Sequence, residues 1–85
     1  MLRYALVGVA ASLFIAPAMA SDICKDYPQS EWMTKEAVTE LATKMGYEIA
    51  GVKQEDGCWE IKGKKDGKRV EDYFDPVTGE VVESK

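Results

Sequence analysis

Residues 58–74 read CWEIKGKKDGKRVEDYF. Two alternating runs flank Asp66-Gly67, and Asp-Gly between such runs is the strongest short-range hairpin signal. A two-residue turn there sets the register: Lys65 opposite Lys68, Lys62 opposite Glu71, Ile61 opposite Asp72 and Trp59 opposite Phe74. Side chains alternate along a strand. One face therefore carries Trp59, Ile61, Val70 and Phe74, and the other Glu60, Lys62, Glu71 and Tyr73. Asp72 is the misfit, a carboxylate in line with Ile61 on the apolar face. It belongs either at a margin that the covering layer leaves open, which is the commoner place, or inside with a perturbed charge state.

The pattern extends outward on both sides. Upstream, YEIAGVKQ runs into Asp56-Gly57, a second hairpin signal that places Val52 opposite Ile61. Tyr47 and Ile49 then fall on the wrong face unless the strand bulges, and Ala50-Gly51 is the place for a bulge. Downstream, Asp75-Pro76 starts a type I turn, Gly79 supplies a positive φ, and EVVES follows as a short strand. The acids of EDYFDPVTGE thus flank a corner of the sheet. They do not form a metal loop, because Asp72, Asp75 and Glu80 lack the alternate spacing of an EF-hand.

Before the sheet, TKEAVTELATKMG places Val38, Leu41, Ala42 and Met45 on one helical face. Thr34 is a good N-cap, Glu36 lies in the positive first turn, and Met33 with Val38 forms a hydrophobic staple. Lys44 and Gly46 mark the end. So short a helix does not persist alone and must pack on the sheet. The expected fold is α+β in two layers: one helix, about 35–45, on a meander of three to four antiparallel strands. The strands fall at about 47–54, 58–64, 69–74 and, as a short one, 80–83. Residues 21–33, with Pro28 and Ser30, read as an extended lead-in.

The first twenty residues differ in kind. MLRYALVGVAASLFIAPAMA carries one cation, an apolar run too short to span a bilayer as a helix, and an Ala18-Met19-Ala20 cleavage pattern. It reads as a signal peptide cut after Ala20, so residues 21–85 form the single mature domain in the periplasm or secreted. That part holds all fifteen acids and ten of the eleven cations, a net charge of −5. The balance disfavours nucleic acid, whose binding needs a basic surface. A domain of this size has a thin core and gains from a staple. Cys24 and Cys58 are the only cysteines, and in an exported chain they read as one disulfide. Zinc wants four closely spaced ligands and a thioredoxin-like centre wants C-x-x-C, and neither is present.

In this order, Cys24, EW at 31–32, MGYEI, DGCWEIKGKKDGKRVEDYFDP and TGEVV, the chain resembles the small exported PepSY-type proteins. DGCWEI and RVEDYFDPVTGE are the most specific parts, and the likeness covers about Cys24 to Val82. Cys24 and Cys58 match the cysteine pair of single-domain members, whereas Asp72 stands where a smaller or apolar residue is usual. The resemblance implies a helix packed on a short antiparallel sheet and a role in restraining proteases or in the bacterial envelope. It brings no catalytic residues with it.

The residues themselves point the same way. The chain has no histidine for acid–base work or metal ligation, and the disulfide leaves no free thiol. No enzyme, cofactor or metal site is expected. The expected function is a non-catalytic protein-binding module, with a small-ligand or weak cation-binding protein as the alternative. The candidate contact residues are Tyr73, Glu60, Lys62 and Glu71 on the outer face, with Lys65 and Lys68 at the turn. Tyr73 is either an exposed anchor or is covered by the lead-in that the disulfide draws to that face; the sequence favours neither. KGKKDGKR, residues 62–69, is either a solvated turn whose lysines blunt an edge or a contact for an acidic partner or anionic lipid.

Overall fold

The computed structural model describes residues 22–85; the expected signal peptide, residues 1–20, lies outside the described residues. The hairpin signals hold. Asp56 and Asp66 have φ of 53° and 55°, followed by Gly57 at 78° and Gly67 at 80°. Positive φ at both central residues is the type I′ turn, whose twist matches that of the strands it joins. Four antiparallel strands result: β1 (Tyr47–Glu55), β2 (Cys58–Lys65), β3 (Lys68–Phe74) and β4 (Val81–Ser84), side by side in chain order. The register pairs Trp59 with Phe74, Ile61 with Asp72, Lys62 with Glu71 and Val52 with Ile61. The β1–β2 register shifts between Ile49 and Gly51, a bulge at Ala50 that returns Tyr47 to the apolar face. A second shift, between Tyr73 and Phe74 against β4, had no signal in the sequence.

Helix α1 (Lys35–Lys44) begins where its cap predicts, with the Thr34 hydroxyl accepting from the Ala37 N–H at 3.0 Å. Gly46 closes it at φ 98°. It buries Val38 and Ala42 against Tyr47, Trp59, Ile61 and Phe74, with Leu41 and Met33 half-buried at the border. Met45 departs from the expected apolar stripe. It lies one residue past the last turn, as C-cap, and is exposed.

The lead-in is not simply extended, because Gln29–Glu31 form a 3-10 turn. That turn lets two tryptophans close one edge of the core. The Trp59 indole donates to the Met33 carbonyl at 3.0 Å and the Trp32 indole to the Tyr27 carbonyl at 3.1 Å. Their rings meet edge to face, 5.6 Å apart.

The Asp75 corner is wider than a type I turn. The Asp75 carbonyl accepts from the Gly79 N–H, four residues on, at 2.9 Å. Its side-chain Oδ1 takes the N–H groups of Val77 (2.8 Å) and Thr78 (2.9 Å), and the Tyr27 hydroxyl donates to Oδ2 at 3.2 Å. Burial pushes the Asp75 carboxyl upward, but these donors outweigh it and hold the group below the ordinary aspartate range. A depressed folded value makes a stabilising contribution that is present above the unfolded value, about 3.9, and lost as pH falls below it. Asp75→Asn should therefore be less stable than the parent at neutral pH, with the gap closing below about pH 4. Urea unfolding at several pH values reads this directly, and a gap that stays constant would refute it.

Candidate functional site

The two faces of the sheet have different covers. α1 takes the first. Asp72 lies within it, buried, and not at an open margin as the sequence suggested. The bulge in β1 explains this, because it swings Tyr47 inward, where its hydroxyl donates to Asp72 Oδ2. Burial, and then this bond, raise the Tyr47 phenol well above its usual value. Asp72 Oδ1 has no hydrogen-bond partner. Tyr47→Phe would leave the whole carboxylate without a protein donor, and an orphaned buried acceptor costs about 1–3 kcal/mol. Chemical denaturation should show that loss, and most of it should be absent when Tyr47→Phe is made in an Asp72→Ala background.

The second face divides into halves. Near the Asp56-Gly57 turn, the lead-in lies across it. Cys24 and Cys58 form a disulfide, and the N–H groups of Ile23 and Cys24 both donate to the Asp56 carbonyl, at 3.0 and 3.1 Å. Under this strap Tyr73 is 1% exposed and packs with Cys24, Cys58 and Ile23. The Lys85 ammonium sits 5.0 Å from the Tyr73 ring centroid and closes the other side. Glu60 is buried beside it at 2% exposure. Its Oε1 lies 3.7 Å from Lys53 Nζ, within ion-pair distance but too far for a hydrogen bond. Tyr73 and Glu60 are therefore covered and not presented at the outer surface. For Tyr73 this is the second of the two alternatives left open by the sequence; for Glu60 the strand pattern is blind to a segment tied on from far along the chain.

The half toward the Asp66-Gly67 turn is open. It holds a broad groove of about 590 Å³. Cationic Lys62, Lys64, Arg69 and Lys85 line it together with Glu48 and Glu71, over a floor that includes Ile49, Gly63 and Val70. Of the residues proposed from sequence, Lys62 and Glu71 line the groove, and Lys68 stands exposed at the turn. Lys65 instead leans to the helix face, its ammonium 4.8 Å from the Tyr47 ring centroid. Lys64 and Arg69 belong to the 62–69 stretch that the sequence offered as a possible contact for an acidic partner, and alternation places them on the same face as Lys62; Lys85 had no such signal. Among the described residues the ion pairs are Lys53–Glu55 and Lys53–Glu60, so the groove cations have none.

The described residues hold no group of three or more potential metal ligands. No described helix is long and apolar enough to cross a membrane. No curated protein and no solved structure matches the chain. The family model described as peptidase propeptide and YPEB domain matches residues 4–85, and with a helix on a four-stranded antiparallel sheet behind that match, the chain belongs to the PepSY family.

Proposed function

We propose that this chain is an exported, non-catalytic protein-binding module that restrains a protease or adapts one envelope protein to another. The observation that carries the reading is the match to the peptidase propeptide family over nearly the whole chain. Its composition supports the non-catalytic part: it has no histidine, and both cysteines are bonded. The open, positively charged half of the second face is the surface on which such a module would act. The Ala18-Met19-Ala20 pattern supports export to the periplasm or beyond, with Ser21 as the mature N-terminus.

Two measurements test this. Mass spectrometry of the exported protein should find a chain that begins at Ser21. Cross-linking of the tagged protein in an envelope extract should capture one partner saturably, and the purified protein should slow that partner's proteolytic activity or link it to another component. Retention of residues 1–20 in the exported form would remove the export reading. A chain that cleaves a substrate by itself, or that captures nothing, would remove the binding reading.

A further inference from the structure

We infer that the basic groove on the open half of the sheet is a docking site for an extended acidic peptide segment of a partner protein, one with carboxylates at alternate positions. The inference rests on the protein-binding reading above and names the chemistry of the partner. Three observations carry it.

The first is charge. Residues 62–69 hold five of the ten cations found in residues 22–85, against one acid, in a stretch of chain that is otherwise strongly acidic. The groove gathers Lys62, Lys64 and Arg69 from this stretch and adds Lys85 from the far end of the chain. Its own acids, Glu48 and Glu71, leave the lining net positive. None of its cations is spent on an ion pair with a described residue. Among the described residues the charge is thus polarised, with the positive pole on an open part of the sheet. Such a field draws in and orients an oppositely charged partner.

The second is spacing. Lys62 and Lys64 are two residues apart on one strand, so they project from one face about 6.6 Å apart. Alternate side chains of an extended peptide have the same repeat. Carboxylates at positions i and i+2 can therefore meet both lysines at once. Arg69, opposite Lys64 across the hairpin, presents the planar fork that binds a carboxylate in bidentate fashion.

The third is shape. About 590 Å³ is within the range of binding clefts, and the cleft runs along the strands, past the backbone of Ile49, Gly63 and Val70; the side chains of Ile49 and Val70 pack toward α1. An extended segment with acids at alternate positions matches both the cleft and the spacing. A helix would display its i and i+2 side chains on different faces.

The test uses the disulfide-bonded full-length protein and three probes: a blocked alternating Glu-Val hexapeptide, a peptide of the same composition with its glutamates in one block, and neutral vesicles doped with anionic lipid. The alternating peptide should bind most tightly, shifting the amide signals of Lys62, Lys64, Arg69 and Val70 in an NMR titration, and salt should weaken it. Lys62→Glu with Lys64→Glu should reduce its affinity by about tenfold or more, while the same double reversal at Lys35 and Lys44 on α1 should not. Four results would overturn the inference. These are equal loss in the α1 variant, no preference for the alternating peptide, tighter binding to the anionic vesicles, and a salt-sensitive dimer in sedimentation that occupies the groove. Cross-linked capture of an envelope partner separates this from the broader reading. If the Lys62→Glu/Lys64→Glu protein captures the partner as well as the parent does, the groove proposal falls and the binding module stands. If the parent captures nothing, the binding module falls as well.

Discussion

Reduction of the Cys24–Cys58 disulfide should lower the melting temperature sharply, and Cys58→Ala should cost about 2–5 kcal/mol, the range typical of a native disulfide in a small domain. Two effects add. The bond spans 34 residues of sequence, and closing that loop restricts the unfolded chain; the entropic model puts this at roughly 4 kcal/mol. It also ties down the strap that covers one side of Tyr73. Ile23 and Cys24 are otherwise held by two backbone hydrogen bonds to the Asp56 carbonyl. With the bond cut, the lead-in frays, and water reaches Cys58, Tyr73 and the buried Glu60 carboxylate. Thiol titration of the unfolded, unreduced protein should find no free thiol. Tyrosine fluorescence should change on reduction before the helix signal does, because the α1 face has its own core. Superimposable melting curves for the oxidised and reduced protein would sink the prediction. So would two free thiols in protein isolated from an oxidising compartment.

Gly63→Ala should be the other severe change. Gly63 lies opposite Ile49, next to the bulge that turns Tyr47 into the core. A Cβ at Gly63 would overlap the Glu48 carbonyl oxygen and come 3.0 Å from the Glu48 carbonyl carbon and 3.1 Å from Ile49 Cα. All three atoms are backbone, so no side chain can swing away. β1 must move off β2, and the bulge then no longer delivers Tyr47 to Asp72. Overpacking typically costs 1–3 kcal/mol, and a clash confined to backbone belongs at about the top of that range, ~3 kcal/mol. Gly51→Ala, on the other side of the same bulge, is the control. A Cβ there meets nothing within 4 Å. With negative φ and open space, alanine should be neutral or slightly stabilising through the unfolded chain. Urea unfolding of the two variants side by side decides the matter. Equal stability would show that the bulge adapts and that Gly63 is not needed for close approach.

The sheet and its helix were legible because their signals are local. Asp-Gly can take two successive positive φ values with little strain, so each pair sets a hairpin, and a hairpin sets its register. Once Trp59 lies opposite Phe74, the apolar face follows by alternation, and the mismatch of Tyr47 and Ile49 forces a bulge near Ala50. The caps of α1 act within four residues and were equally readable. The cysteine pairing needed only a count and the expectation of export, which is itself read from a pattern in sequence.

The second face was decided by tertiary structure. Alternation shows that Tyr73 and Glu60 point away from α1, but it cannot show what comes to lie on them. That depends on Cys24, some fifty residues upstream of Tyr73, and on a Lys85 side chain that reaches back over the same ring. Asp72 is the same case on the inner face. Its residue type argued for an open margin, and only the through-space approach of the Tyr47 hydroxyl gives a buried carboxylate a donor. The groove was half visible, since Lys62, Lys64 and Arg69 share a face by parity. Lys85 joins them because β4 folds back along β3, and Glu48 because the bulged β1 lies along β2. Period and turn chemistry act over a few residues, and they determined the elements and their order. Cover and charge clustering depend on pairs far apart in the chain, and they determined which part of the sheet remains free to bind.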